Sequence, residues 1–240
     1  MQRALCQTEN SASERLAGIA KGAGVPRRKL DLFFALEAVL SQLDRDTAPS
    51  VNAGCSAVAV TSNAADSGEP IVAHNFDYLP LVQPFYILRK SQPTGKLRSL
   101  EFTVAPLSGA VDGINEAGLC ITCNYAYVND HEEAAPTMTM LVSECLAECH
   151  TVDEVVERIA GTPRFDGGIL MLADSRGQIA SMEISSTRSA VRQPLSGKNR
   201  LFHTNRFQNT DMKSVELNSN ACYAGRSPPC FTRFASSRTV

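Results

Sequence analysis

The sequence predicts an α+β fold in which antiparallel sheets pack against helices. Helical periodicity dominates the N-terminal part, and short runs of alternating apolar residues then occur in pairs around turn-forming residues. Strand runs and helical runs are segregated along the chain rather than alternating, which favours antiparallel sheets. The length of 240 residues, with 43% hydrophobic and 20% charged residues, suits one globular domain, alone or with a prosegment.

Two helices are predicted before the first strand. A capping-box pattern, Ser-x-x-Glu beginning at Ser11, opens a helix over 15–21 that a Gly-rich segment ends. A second and strongly apolar helix is predicted over 28–43, and a polar linker follows over 44–52. The N-terminal part of the chain is therefore expected to be helical.

Three hairpins are predicted after this linker, because Asp, Asn, Ser and Gly cluster between paired strand-like runs. The paired runs are 56–62 with 70–74, 104–114 with 119–125, and 168–173 with 178–185. Between the second and third hairpins, the sequence predicts an amphipathic helix over 138–149. A capping box at Thr151 opens a shorter helix that extends to residue 160.

Composition and charge argue against several functional classes. The net charge of −2 gives no bulk basicity, so we expect no nucleic-acid partner. The longest apolar stretches, 32–40 and 168–173, are far shorter than the roughly 20 residues that cross a bilayer, so no membrane association is expected. The N-terminus lacks the apolar segment of a secretion signal, and we expect a cytoplasmic protein.

Eight cysteines raise the alternatives of disulfides, zinc binding and redox chemistry. Their irregular spacing in a core-rich chain favours reduced thiols. Cys120 and Cys123 lie three apart in one predicted strand, where they point to opposite faces and cannot chelate one ion. Cys145 and Cys149 share a helical face, but no second pair completes a tetrahedral site. No metal or cofactor is expected, and a cysteine-based zinc or redox protein stays an alternative.

Cys55 is the candidate nucleophile because of its place in the chain. It opens the first predicted strand directly after Gly54, whose backbone tolerates the strain of an attack on its own carbonyl. Cleavage between these two residues would give Cys55 a free α-amine, with a reference pKa of about 7.7 to 8.0. That amine could serve as the general base for the thiol. The alternative is a small buried core cysteine.

Six segments in order carry a resemblance to a known family. They are AGIAKGAGV at 17–25, GCSA at 54–57, HNFDY at 74–78, GINEAGL at 113–119, Asn124, and HTNRF at 203–207. Together they resemble the acyl-coenzyme A:6-aminopenicillanic acid acyltransferases and their peptidase-like, N-terminal nucleophile hydrolase relatives. The sequence is more distantly similar to the choloylglycine hydrolases. The resemblance extends over residues 13–209.

The resemblance implies a proenzyme with the N-terminal nucleophile fold, an αββα sandwich of two antiparallel sheets between helices. Residues 1–54 would be a helical prosegment or small chain that remains associated after self-cleavage. Residues 55–240 would form the hydrolase or acyltransferase domain. Because family members continue with further strands beyond the segment around Asn205, this domain is expected to be incomplete at its C-terminus.

The resemblance also implies roles for four catalytic residues. The Cys55 sulfur would attack an amide or thioester carbonyl, and Asp77 would hold the new ammonium or the thiol by a charge-assisted hydrogen bond. Asn205 would donate to the oxyanion, and Asn124 matches a second position of the site. The alternative for Asp77 is a cap on its own turn, and for both asparagines it is closure of a strand into a loop.

The segment that contains Asp77 also supplies the candidate substrate-binding residues His74 and Asn75. Bile salt hydrolases have an arginine at the place of His74, so the polarising role of that position is not carried over. The expected function is an autoprocessing N-terminal cysteine amidohydrolase or acyltransferase. It would act on non-peptide amide bonds of a small acylated amide or thioester. The alternatives are an inactive or truncated relative that binds small acyl or amide ligands, and a structural fragment.

Overall fold

The computed structural model describes residues 11–32, 54–78, 80–130 and 135–217. Its helices are α1 (Ser11–Ala23), α2 (Met138–Glu148), α3 (Val152–Ala160) and α4 (Thr210–Lys213), with helical residues at 27–32 and short 3-10 helices at Ser62–Ala64 and Pro80–Phe85. Its strands are β1 (Gly54–Val60), β2 (Ile71–Asp77), β3 (Tyr86–Ser91), β4 (Ser99–Val104), β5 (Asp112–Asn115), β6 (Cys120–Tyr125), β7 (Gly168–Ala173), β8 (Ile179–Ile184), β9 (Ser189–Arg192) and β10 (Arg200–His203).

The smaller sheet has three strands in the order β10-β1-β2, and both pairs are antiparallel. Cys55 pairs with Phe76, while Ala57 lies between His74 on β2 and His203 on β10. Alternate residues of a strand face opposite sides, so Cys55 and Ala57 share the face that is buried against the second sheet. This register places the candidate nucleophile at one end of the central strand.

The larger sheet has seven antiparallel strands in the order β3-β4-β5-β6-β7-β8-β9. One face packs against α2 and α3 through the largest apolar cluster of the described residues, which includes Leu141, Leu146 and Ile159. The other face packs against β1 through Ala57, Ala59 and neighbouring residues. The described layers are therefore helix, large sheet and small sheet, and the prediction of an α+β fold with antiparallel sheets is confirmed.

The predicted hairpins and middle helices are present, with one correction. The first strand of the second hairpin was predicted over 104–114, but β5 begins only at Asp112. Residues 105–111 form a loop that contains Pro106, and proline cannot donate to a strand ladder. Strands β3 and β4, which precede this loop, were not predicted.

The described N-terminal segment packs on the helical side of the large sheet. Leu16, Ala20 and Leu30 form an apolar cluster with Met140 of α2. The rest of the helix predicted over 28–43, and the linker after it, lie outside the described residues. None of the helices in the described ranges is long and apolar enough to span a bilayer.

Candidate active site

Cys55 is the second residue of β1 and is only 8% exposed. Burial raises the pKa of its thiol to about 12. Hydrogen bonds from the Asn205 side chain and the Asp77 backbone offset part of this increase, whereas the charges of Asp112 and Asp77 add to it. The thiol is therefore protonated at neutral pH, and a base would be needed to form the thiolate.

Asn205 is in direct contact with Cys55. Its Oδ1 accepts a hydrogen bond of 2.6 Å from the Cys55 backbone N–H. Its Nδ2 donates at 2.7 Å to the carbonyl of Tyr125, the last residue of β6. The amide nitrogen carries two hydrogens, so Asn205 can hold the end of β6 and still donate to a group at Cys55.

Asn124 lies next to this contact and is fully buried. Its Nδ2 donates to the carbonyl of Thr204 at 3.3 Å, which ties β6 to the loop that carries Asn205. Its Oδ1 is buried without a hydrogen-bond partner in the described structure. The fold thus brings Asn124 and Asn205, which are far apart in sequence, to the same end of β1.

Asp77 pairs directly with Gly54 across the β1–β2 ladder. It is exposed, and its Oδ2 accepts a hydrogen bond of 2.9 Å from Asn75 Nδ2. Asn75 and Asp77 lie on the outer face of β2, whereas His74 and Phe76 alternate onto the inner face. Asp77 thus lies beside the Gly54–Cys55 bond, and Asn75 contacts Asp77.

His74 points between the sheets, where its side chain is 4% exposed. Its Nδ1 lies 2.8 and 2.9 Å from the two carboxylate oxygens of Asp112. A carboxylate only accepts, so Nδ1 carries the hydrogen and Nε2 presents a lone pair in the neutral ring. Nε2 is buried without a partner in the described structure. Asp112 was missed in the sequence, where a carboxylate within an otherwise apolar predicted strand was the available signal.

His203 faces the same inter-sheet space from the opposite side of Ala57. Its Nδ1 lies 3.0 Å from Ser181 Oγ. Burial, together with the nearby charges of Arg192 and His74, lowers the pKa of His203 to about 3. This imidazole is therefore neutral at any pH at which the protein is commonly handled.

The neutral state of His203 predicts a loss of stability in acid. Between its ordinary pKa of 6.5 and its folded pKa of about 3, the unfolded chain binds a proton that the folded chain does not. The free energy of unfolding should therefore fall by about 1.4 kcal/mol for each pH unit below 6.5. At pH 4.5 this amounts to roughly 2 to 3 kcal/mol.

Urea unfolding of the parent and of His203→Gln at pH 7 and pH 4.5 measures this term, because other groups titrate equally in both proteins. The variant should lose less stability than the parent by the stated amount. His150→Gln, at a half-exposed histidine, should behave like the parent. Equal losses in the parent and His203→Gln would contradict the assignment.

Aromatic rings cluster beside Phe76, the strand partner of Cys55. Phe76 lies 5.5 Å from Tyr78, 5.7 Å from Tyr86 and 5.7 Å from Phe102, between ring centroids. Burial raises the pKa of Tyr86, and the nearby Cys55 and Asp77 contribute. Tyr86 on β3 and Phe102 on β4 join Phe76 and Tyr78 only through the fold, so no local sequence signal could have identified the whole cluster.

The remaining candidate cysteines lie apart from this site. Cys120 packs between the sheets and Cys123 packs towards the helices, on opposite faces of β6 as predicted. Cys145 and Cys149 belong to the core between the helices and the large sheet. Within the described ranges, no three His, Cys, Asp or Glu side chains are grouped so that they could hold a metal ion.

The sequence matches the family model described as acyl-coenzyme A:6-aminopenicillanic acid acyl-transferase over residues 64–222. The match begins after Cys55 and includes Asp77, Asn124 and Asn205. It covers well over half of the chain. No curated protein matches the sequence.

Three solved structures match this chain to different degrees. The N-acylethanolamine-hydrolyzing acid amidase ortholog of Caenorhabditis elegans has a TM-score of 0.51 and 15% identity, with 67% of this chain and 73% of that chain covered. A mutant of the conjugated bile acid hydrolase from Clostridium perfringens has a TM-score of 0.44 and 18% identity, with 65% of this chain and 54% of that chain covered. Penicillin V acylase from Agrobacterium tumefaciens has a TM-score of 0.36 and 17% identity, with 60% of this chain and 42% of that chain covered. The chain thus spans about half the length of the two bacterial enzymes, and the amidase match supports the fold.

Proposed function

Because the chain belongs to the acyl-coenzyme A:6-aminopenicillanic acid acyl-transferase family, we propose that it is an autoprocessing enzyme whose nucleophile is Cys55. The resemblance found in the sequence motifs is confirmed by this membership. The family and the fold support an amide hydrolase or acyltransferase of the N-terminal nucleophile type. The nucleophile, the self-cleavage and the substrate are our proposals.

The observation that carries the proposal is the polar surrounding of the Cys55 backbone nitrogen. Asn205 Oδ1 accepts from the Cys55 N–H, and Asp77 lies opposite Gly54 on the neighbouring strand. A core cysteine would need neither of these polar neighbours at its amide. An α-amine at this position would have an acceptor in Asn205 and a carboxylate nearby, which is the environment that an N-terminal base requires.

In the processed enzyme, the α-amine of Cys55 would take the thiol proton while Sγ attacks the acyl carbonyl. Negative charge would develop on the carbonyl oxygen, and an N–H of Asn205 would stabilise it. Collapse of the tetrahedral intermediate would break the bond to the leaving group, which would receive the proton from the α-ammonium. The acyl group would remain on Sγ as a thioester until water or an amine attacks it.

The test is an assay of the full chain with two substrate classes under reducing conditions. We expect either an N-acyl amide or an acyl thioester to transfer its acyl group to Cys55, which mass spectrometry would detect as an adduct. Adding an amine acceptor distinguishes the activities, because a hydrolase releases the free acid and an acyltransferase forms a new amide. If neither substrate class gives an adduct or a product, the proposal fails and the inactive, ligand-binding alternative is favoured.

The packing of the N-terminal segment supports the proposal that both pieces stay together after cleavage. Arg15 on α1 donates through Nη1 to the carbonyl of Ser108 at 2.7 Å and through Nη2 to Ser91 Oγ at 2.7 Å. Its Nη1 also forms an ion pair of 3.3 Å with Glu101, which is only 1% exposed. These bonds join the predicted prosegment to the large sheet without using the Gly54–Cys55 bond.

Arg15→Ala should therefore weaken the association of the two pieces. Glu101 would keep its ion pair with Arg89 but lose the second cation, so we expect a cost of about 3 kcal/mol, or roughly a hundredfold in affinity. Size-exclusion chromatography of the cleaved protein measures this as separation of the small piece. Arg28→Ala, at an exposed helical position, is the matched control and should leave the pieces together. Equal co-elution of both variants on dilution would contradict the proposed role of Arg15.

A further inference from the structure

We propose that His74, positioned by Asp112, is the general base for self-cleavage of the Gly54–Cys55 bond. This inference rests on the proposed self-cleavage. In the uncleaved chain the nitrogen of Cys55 is an amide, so the α-amine that would serve the mature enzyme does not yet exist. Another group must therefore take the proton from the buried thiol.

The strand register places His74 within reach of Cys55. His74 pairs with Ala57, two residues along β1 from Cys55, and all three side chains lie on the inner face of the small sheet. Such diagonal neighbours on antiparallel strands have Cα atoms about 7 to 8 Å apart, a separation that long and aromatic side chains can bridge. The imidazole therefore lies on the same face as the Cys55 side chain, and because Nε2 makes no direct hydrogen bond to the thiol, the proton would pass through one bridging water.

The state of the His74 ring also suits a base. Its Nδ1 donates to both oxygens of Asp112, at 2.8 and 2.9 Å. Its buried Nε2 has no partner in the described structure, and it carries the lone pair. Asp112 is itself fixed by the backbone N–H of Cys123, which donates to it at 3.3 Å. The carboxylate therefore orients the ring and would stabilise the imidazolium after proton transfer.

Other titratable groups face the same space from each neighbouring strand, and none is an equivalent base. They are Cys120 on β6, Tyr86 on β3 and His203 on β10, with Arg192 on β9 beside His203. The pKa of His203 is lowered to about 3 and that of Cys120 is raised to about 11, so neither accepts a proton readily near neutral pH. Asp77 lies on the outer face with Asn75.

Self-cleavage would then proceed in two steps: transfer of the Gly54 acyl group from nitrogen to sulfur, with His74 moving one proton, and hydrolysis of the resulting thioester. His74 Nε2 takes the proton from Cys55 Sγ, and the thiolate attacks the carbonyl carbon of Gly54 to form a C–S bond. The tetrahedral intermediate then breaks the C–N bond, and the imidazolium returns the proton to the nitrogen of Cys55. The product is a thioester between Gly54 and Cys55 Sγ. Water hydrolyses this thioester to a Gly54 carboxylate and a free Cys55 thiol.

The pH dependence of self-cleavage tests this step. Full-length protein is purified under conditions that limit cleavage, shifted to a series of pH values, and sampled over time for intact mass. With His74 as base, the first-order rate should reach a plateau well below the thiol pKa, because cleavage then does not depend on free thiolate. Without a base, the rate should follow the thiolate fraction and rise about tenfold per pH unit towards the thiol pKa of about 12.

Two variants separate His74 from a structural role. His74→Gln retains a polar side chain for Asp112 and should cleave about a hundredfold more slowly at neutral pH, without the plateau. Asp112→Asn should slow cleavage, because the His74 ring would lose the carboxylate that orients it. The matched controls, His150→Gln and Asp66→Asn at exposed positions, should keep the rate and profile of the parent.

The outcomes are distinguishable. A parent chain that stays intact refutes the proposed self-cleavage and the inference with it. A parent that cleaves while His74→Gln retains its rate and plateau refutes only the role of His74. If His74→Gln does not fold, as judged by circular dichroism, the parent profile decides, because a rate that rises without a plateau overturns the inference.

Discussion

Replacing Cys55 by alanine should give a protein that keeps its full mass and has no turnover. The substitution removes the sulfur that would attack both Gly54 and the substrate, so the two activities should disappear together. Intact-mass measurement after incubation under reducing conditions should show the parent divided between Gly54 and Cys55, with the variant whole. The rate of substrate turnover by the variant should fall to the uncatalysed rate measured in buffer alone.

Two further variants make this result specific. Cys55→Ser should cleave slowly, because a hydroxyl is a weaker nucleophile than a thiolate. Cys145→Ala removes a thiol from the helix-side core and should retain both cleavage and turnover. Loss of chemistry in Cys145→Ala with a normal circular dichroism spectrum would revive the metal alternative. Cleavage of Cys55→Ala at the same bond would refute Cys55 as the nucleophile.

Asn205→Ala is expected to lower kcat by about 10² to 10³ while changing KM little. This is the usual effect of removing one oxyanion donor, about 3 to 4 kcal/mol of transition-state stabilisation. Steady-state kinetics on whichever substrate class proves active measures both constants. Self-cleavage should also slow, because the Cys55 N–H would lose its acceptor at 2.6 Å.

Asn205→Asp distinguishes the two contacts of this side chain. Aspartate keeps an oxygen for the Cys55 N–H but loses both N–H groups, the one that would stabilise the oxyanion and the one that donates to Tyr125. If donation matters, kcat should fall as far as in Asn205→Ala. A large rise in KM with unchanged kcat in either variant would instead assign Asn205 to uniform substrate binding.

Local sequence patterns were enough to predict the strands that show apolar alternation and are joined by short turns. The hairpin of β1 and β2 was predicted because apolar alternation and a Ser-Gly turn coincide, and it brings Asp77 opposite Gly54. Strand β4 was missed because its alternation is reversed. Leu100 faces outward, whereas Glu101 and Thr103 are buried. A buried carboxylate is stable there only because Arg15 and Arg89 pair with it, and those partners come from distant segments.

The same distinction applies to the candidate site. Cys55, Asp77 and Asn205 were identified from motifs, and the structure brings them together. Asp112 and Tyr86 were not identified, because their proximity to Cys55 depends on how the larger sheet stacks on the smaller one. Sheet stacking joins residues from separate hairpins, and period-two alternation specifies only which face a residue occupies.

The pairing of Gly54 with Asp77 has an electrostatic consequence for a processed chain. Cleavage would convert the neutral Gly54 carbonyl into a carboxylate, directly across the ladder from the carboxylate of Asp77. Like charges facing each other on neighbouring strands repel, so the new chain end would be driven out of its place in the sheet. The severed end would then withdraw from Cys55, religation would be disfavoured, and the α-ammonium would become the nearest partner of Asp77. Self-cleavage would thus be effectively irreversible, and it would move the new C-terminus away from the Cys55 thiol.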